Sequence, residues 1–337
     1  MIPITILTGF LGSGKTTILA HLMRDPALAD TAVIINEFGD VGLDHDLIET
    51  SDETVVSLQT GCLCCKIQDD LTATLHDLLV RRDVGTVSMF KRVVIETSGL
   101  ADPLPVLQSL MIDDVIAQHM TLARVVTIVD AVNGARTLQW HPEARHQVAV
   151  ADHLLLSKTD LIDADPSEIG NEISAINQSA PIDRVSNGEV DPAILFPIAS
   201  SASNAATIAY SLTRNDHHPH GHNEITTFAI VRERPIAAVA LALFLEALAD
   251  HCGADLLRMK GIVHIAEHPE QPAVIHGVQH IFQPPSWLVA RPGDDNRTRI
   301  VFIGRDINQA WVNALLHAVE IEVEEQVDQQ QDATCVI

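Results

Sequence analysis

The chain has 337 residues, 47% hydrophobic and 20% charged, a usage that suits about two globular domains and excludes wholesale disorder or fibrous structure. Lys and Arg total 21 against 45 Asp and Glu, a net charge of −24. A surface this acidic repels phosphate backbones and anionic lipid, so neither nucleic acid nor a membrane is expected as partner, whereas cations are attracted.

The chain opens on Met1-Ile2-Pro3-Ile4, without the basic segment or cleavage pattern of a secretion signal. Five cysteines are too few for a disulfide scaffold, and three of them fall within residues 62–65. That spacing suits a metal or redox centre better than mutual bridges. The longest apolar run, residues 236–245, is too short to span a bilayer. The expected setting is cytoplasmic and reducing.

Brief runs rich in Val, Ile and Leu occur at residues 2–7, 32–35, 55–58, 92–95, 124–129 and 153–156. They read as strands buried on both faces. Residues 16–24, 69–82 and 103–110 read as helices between them. The alternation predicts an α/β domain with a mainly parallel sheet over residues 1–203.

At the end of the first strand, Gly9-Phe10-Leu11-Gly12-Ser13-Gly14-Lys15-Thr16 matches the phosphate-loop pattern G-x-x-x-x-G-K-[ST], with a helix following. Glycines let backbone amides approach phosphate oxygens, and the helix start adds a positive dipole end. Gly12, Ser13, Gly14, Lys15, Thr16 and Thr17 are the expected phosphate residues. Lys15 is expected to reach the β- and γ-phosphates and Thr16 to ligate Mg²⁺. Glu96, closing the strand at 92–95, is the candidate carboxylate of the Mg²⁺ shell, and the Gly99 amide is placed to face the γ-phosphate. Ser157-Lys158-Thr159-Asp160 is a variant of the guanine-reading N-K-x-D motif. Asp160 would accept from guanine N–H groups that adenine lacks, the stem of Lys158 would lie across the base, and Ser157 stands where Asn is usual.

Between these motifs, Gly61-Cys62-Leu63-Cys64-Cys65 precedes a helix, where the dipole lowers thiol pKa. Three thiolates are one short of a closed tetrahedral zinc site and suit transfer more than clamping. Glu37 or Asp40 is a candidate oxygen ligand. Residues 204–224 read as a linker holding His217-His218-Pro219-His220-Gly221-His222, which is either a second, weaker metal site or a solvated loop. Residues 225–321 read as a smaller α+β domain. Its expected strands are 225–231, 263–266, 274–282 and 299–302. Pro235 would open a core helix through 248, and a final amphipathic helix would cover 307–319. Residues 322–337 read as a frayed tail.

Taken together and in order, the phosphate loop, Asn36–Gly39, the Gly-Cys-Leu-Cys-Cys run, Glu96-Thr97-Ser98-Gly99 and Ser157–Asp160 resemble the CobW family of P-loop GTPases, nearest its YjiA-like branch. The likeness continues through Leu256–Gly261, Gly277–Gln279 and Val301–Gly304 into that family's C-terminal domain. The resemblance implies GTP hydrolysis coupled to handling of zinc, cobalt or a similar metal and its delivery to a client metalloprotein. It implies Cys62, Cys64 and Cys65 as metal ligands, and Lys158 and Asp160 as base readers. The motifs leave open a small-molecule kinase or ATPase with structural cysteines, a non-catalytic metal buffer, and assembly into a homo-oligomer.

Overall fold

The computed structural model describes residues 1–37, 55–59, 64–162, 167–186, 188–196, 225–288 and 297–334; for 36–37, 55–59, 64–70 and 327–334 it describes the backbone path alone. The chain divides into two compact units, Met1–Ala199 and Ser200–Ile337.

The first unit is a seven-stranded sheet. Its strands are β1 (Ile2–Gly9), β2 (Thr31–Glu37), β3 (Val55–Gln59), β4 (Arg92–Glu96), β5 (Met120–Asp130), β6 (His153–Ser157) and β7 (Ile182–Arg184). They lie in the order β3-β2-β4-β1-β5-β6-β7, and every pairing is parallel. Helices cover a parallel sheet on both faces, which is why β6 and nearly all of β1 are buried along their whole length. Helix α1 (Lys15–Leu22) turns Ile18, Leu19 and Leu22 onto Leu7, Val33, Val94 and Val126. Each such buried side chain contributes roughly 1.5–3 kcal/mol of apolar burial before its ordering entropy is counted. From β1 the chain crosses past β4 to β2, whereas from β4 it crosses past β1 to β5. Connections therefore leave in opposite directions around the C-terminal end of β1, the place where sheets of this kind open a ligand crevice.

The helices between strands are α2 (Cys64–Val84), α3 (Pro103–Ile112), α4 (Asp114–His119), α5 (Gly134–Trp140), α6 (Pro142–Ala149) and α7 (Ser167–Ile176). Helix α2 begins five residues before the helix expected at 69. Helix α3 starts at Pro103, with the Asp102 side chain accepting from the Leu104 N–H at 3.0 Å, the cap-and-proline start that fixes a helix N-terminus.

His153, at the start of β6, is buried and lies 2.8 Å from the Asp183 carboxylate. Burial outweighs that partner and holds the imidazole below its usual value of 6.5. The unfolded chain therefore takes up this proton more readily than the native one. Its contribution to stability is present above about pH 6.5 and is lost as pH falls through the native value. We expect His153→Gln to flatten the fall in urea midpoint between about pH 7 and about pH 5; an unchanged slope would assign the acid sensitivity to another group.

The second unit is an antiparallel sheet of β8 (Ile225–Arg232), β9 (Leu256–Val263), β10 (Ala273–Val278), β11 (Ile281–Phe282) and β13 (Thr298–Arg305), with β12 (Ser286–Trp287) paired to β10. Helices α8 (Ala238–Cys252) and α9 (Gln309–Thr334) pack on one face of it. Phe228 and Phe302 lie opposite one another across β8 and β13, with rings stacked at 5.1 Å.

Several expectations for this unit are corrected. The strand expected at 263–266 lies at Leu256–Val263. The run 274–282 is a hairpin, turned at Gln279 with φ of 54°. Pro235 does not open the helix: Ile236 bridges to Ile265, and the helix begins at Ala238. That helix buries one face, through Ala240, Leu241, Phe244 and Leu248, and exposes Val239 and Leu243, because it lies on a sheet instead of inside a bundle. The last helix continues to Thr334, well past 319 and through most of the expected tail. Glu and Gln are good helix formers, and Val323 still reaches the core. The linker at 204–224 lies outside the described residues.

Candidate functional site

The phosphate loop spans the end of β1 and the start of α1. Gly12 and Gly14 adopt φ of 75° and 93°, left-handed conformations that glycine enters without steric cost. Lys15 is buried beneath the loop, its Nζ donating to the Gly9 carbonyl at 2.9 Å and to that of Phe10 at 3.3 Å. Thr16 and Thr17 follow on the first turn of α1. The Thr16 hydroxyl donates to Glu96 Oε1 at 2.7 Å, which ties the start of α1 to the end of the neighbouring strand β4. Glu96 is itself buried.

Three residues after Glu96, Gly99 is packed against the loop. A Cβ there would stand 2.7 Å from the backbone N and Cα of Leu11 and 3.0 Å from Lys15 Nζ. Only glycine allows this approach. Glu96 and Gly99, both expected here because they close or follow a strand, lie against Thr16 and Lys15 respectively.

On the other side of β1, β6 ends at Ser157. Its hydroxyl donates to the Ser13 carbonyl at 2.7 Å and lies 3.3 Å from that of Val129. Ser157 thus joins the segment 157–160 to the phosphate loop. Lys158 adopts φ of 58° and pairs with Asp130 at 2.8 Å. Burial alone would raise the Asp130 pKa. Hydrogen bonds from the Lys158 and Asn133 side chains and the Val132 N–H, together with the Lys158 charge, outweigh burial and hold it below the ordinary carboxylate value. Asp160 is exposed on the turn that follows. Gly188 comes within 3.9 Å of the Thr17 methyl, measured from a Cβ built on it, so the loop after β7 also closes on α1.

Asp130, the tether from Ser157 and Gln147 are functional-site features beyond the sequence expectations. Asp130 had a readable signal, an acid closing an apolar strand. Gln147 had none, since it sits in a short mixed helix, Pro142–Ala149, with no motif around it. Its Nε2 donates to the carbonyls of Gly99 at 3.3 Å and Ala101 at 3.0 Å, while neighbouring His146 lies 2.8 Å from Asp102 through Nδ1.

Of the expected metal ligands, Cys62 and Asp40 lie outside the described residues, as does the His217–His222 stretch. Cys64 and Cys65 open α2, and Glu37 closes β2; their side chains are outside the description. Strands β1 to β4 are parallel, with Glu37 opposite Gln59, and Ile35 and Leu7 both opposite Glu96. Glu37 and Glu96 therefore share the C-terminal edge of the sheet, and α2 begins five residues after the end of β3. Among the described residues no three His, Cys, Asp or Glu side chains converge as a metal site. Cys252 is no substitute. Burial, with Asp255 nearby, pushes its thiol up to about 11, and a protonated thiol is a poor ligand.

A family model described as CobW/HypB/UreG, nucleotide-binding domain, matches residues 3–184, and one described as the cobalamin synthesis protein cobW C-terminal domain matches residues 225–320. The chain is 32% identical to the zinc chaperone YjiA of Escherichia coli strain K12, over 93% of this chain and 97% of that protein. It is 30% identical to the zinc chaperone CobW of a Sinorhizobium species, over 94% and 97%. The crystal structure of the Zn(II)-bound YjiA GTPase from E. coli superposes with a TM-score of 0.67 at 25% identity, covering 94% of this chain and 98% of that one.

Proposed function

Since the chain belongs to the CobW/HypB/UreG family of P-loop GTPases, we propose that it is a metallochaperone that takes Zn²⁺ as cargo through Cys62, Cys64 and Cys65 and releases it to a client metalloprotein during a cycle of GTP hydrolysis. The observation that carries this reading is the shared sheet edge. Helix α2, which opens on Cys64 and Cys65, starts five residues after the end of β3, Glu37 ends β2, and Glu96 ends β4 against Thr16. A change at the γ-phosphate and a change at the thiolates then act on adjacent ends of one sheet. Glu37 would add an oxygen ligand to the three sulfurs. Co²⁺ is the alternative cargo, and thiolates favour either ion over Mg²⁺.

The amides of Gly12 to Thr17 would cradle the β-phosphate, and Lys15 would balance charge shared by the β- and γ-phosphates. Thr16 and Glu96 set hard oxygen donors 2.7 Å apart beside the loop, a donor pair that fits Mg²⁺. Carried in with GTP, Mg²⁺ supplies neutralisation of phosphate charge. The Gly99 N–H would meet the γ-phosphate, and the Gln147 clasp on the Gly99 and Ala101 carbonyls would hold that peptide in place. Asp160 and Lys158 would read the base. We place the protein in the reducing cytoplasm, where its thiols remain free to bind metal; no described helix is long and apolar enough to cross a membrane.

Asp160→Asn tests the nucleotide assignment. The change converts one acceptor into a donor, which opposes the guanine N–H groups and suits the xanthine carbonyl. Preference should swing from GTP toward XTP by about 10-fold or more, as for a recognition hydrogen bond reversed in polarity. Competition binding in which ATP displaces GTP from the wild type equally well would overturn the assignment and favour the kinase or ATPase. The chaperone role is tested by growth of a deletion strain under zinc limitation. Rescue by the wild type and not by Lys15→Ala is the expected result; equal rescue by both would favour a metal buffer.

A further inference from the structure

Beneath the phosphate loop, between the end of β5 and helices α5 and α6, lies a cavity of about 190 Å³. Residues 10–13 form one wall. Gly12, Ser13 and Lys158, assigned above to the nucleotide, also line it, whereas Lys15, Thr16, Thr17, Glu96 and Asp160 do not, so it borders the nucleotide residues from the side of α5 and α6. Phe10, Leu138, Ala144 and Val148 form an apolar wall, and the nearly as extensive polar wall includes Asp130, Gln147 and Lys158. Cavities of about 150 Å³ with apolar walls admit benzene, so this one has room for a substituted or fused ring.

The polar chemistry selects further. The Asp130 carboxylate already accepts from the N–H groups of Val132 and Asn133, from Asn133 Nδ2 and from Lys158 Nζ. The Gln147 side chain is different. Its Nε2 is engaged with the Gly99 and Ala101 carbonyls, while its Oε1 is buried without a hydrogen-bond partner among the described residues. A buried acceptor left without a donor is costly, and a ligand donor that reaches it recovers that cost. The same amide is the clasp on the loop packed against Leu11 and Lys15.

We propose that this cavity binds a small planar ring compound carrying one N–H or O–H donor, and that Gln147 couples its occupancy to the Gly99–Asp102 loop. Satisfying Oε1 fixes the rotamer whose Nε2 holds Gly99, so occupancy favours the loop position that meets a γ-phosphate. By linkage, a GTP analogue must tighten ring binding by the same factor. The binding half of the proposal stands without the GTPase reading; the coupling half rests on it.

Indole is the probe, titrated calorimetrically into the full-length protein loaded with GDP or with a non-hydrolysable GTP analogue. We expect one saturable site, about fivefold tighter with the analogue, near the lower end of ordinary coupling. Ala144→Met fills the cavity from α6 and Leu138→Phe fills it from α5. Either variant that retains wild-type GDP affinity should weaken indole at least about 10-fold. Gln147→Met keeps the length and loses the amide, and should erase the difference between the two nucleotide states. Nuclear Overhauser contacts from indole to Phe10, Leu138 and Val148 locate the probe in the unsubstituted protein, whatever the variants do. No saturable binding, or contacts at another place, overturns the site. Equal affinity in both nucleotide states overturns the coupling. A protein that binds indole but neither GDP nor the analogue fails the GTPase reading and keeps the site.

Discussion

Lys15→Ala is expected to lower GTP turnover by about 10²- to 10³-fold, the usual cost of removing one preorganised donor from a transition-state charge. Lys15 is buried under the loop and held by the Gly9 and Phe10 carbonyls, so its charge is positioned before substrate arrives and is poorly screened by water. The charge that builds between the β- and γ-phosphates as the bond breaks is then met without reorganisation. GTP affinity should fall more than GDP affinity, because the ammonium also faces the γ-phosphate that only GTP carries. Single-turnover hydrolysis at saturating GTP separates this effect from weakened binding. The Lys15 anchors also tie down the loop, so a thermal scan should accompany the kinetics. A large loss of turnover with an unshifted midpoint assigns the effect to charge. Unchanged hydrolysis would remove Lys15 from the catalytic machinery.

The parts of this molecule that could be read in advance are those where one local rule governs. The phosphate loop is legible because strand, glycines, lysine and helix must coincide within a few residues. Glu96 and Gly99 follow because a ligand crevice opens at the ends of parallel strands, so an acid and a glycine just past an apolar run stand out. The β9 and β10 errors have a different origin. The turn at Gln279-His280 contains none of the Gly, Asn or Asp that usually mark a two-residue hairpin, and a positive φ on Gln279 has no sequence signature. Pro235 read as a helix start because its fixed φ suits that position, but the tertiary bridge from Ile236 to Ile265 delays the helix to Ala238. The short helices α4 and α5, of 6 and 7 residues, have too few turns to show a period. Gln147 was invisible because its role depends on where α6 docks beside the Gly99 loop, a pairing across 46 to 48 positions in the chain.

Replacing Cys62, Cys64 and Cys65 together by Ser should abolish tight zinc binding while leaving GTP binding near the wild-type level. The exchange puts hard, protonated hydroxyls where soft thiolates would stand, and thiolates are what distinguish Zn²⁺ from the Mg²⁺ that accompanies GTP. The phosphate loop is untouched by it, and the buried residues of α2, among them Leu71, Leu75 and Leu78, lie further along the helix. The two sites can therefore fail independently. Binding must release protons from the thiols, so affinity should rise with pH through the range in which they titrate, and the start of α2 should lower that range. The His217–His222 stretch should be deleted in the same background, since imidazoles there would bind zinc weakly and hide the loss. The decisive comparison is a zinc titration of the loop-deleted protein with and without a non-hydrolysable GTP analogue. If the thiolates at the start of α2 respond together with Glu37 and Glu96, the two affinities differ, and zinc must change the affinity for the analogue by the same factor. Identical zinc affinities would leave two ligands bound to one protein with no coupling between them, and the release of metal could not then be driven by hydrolysis.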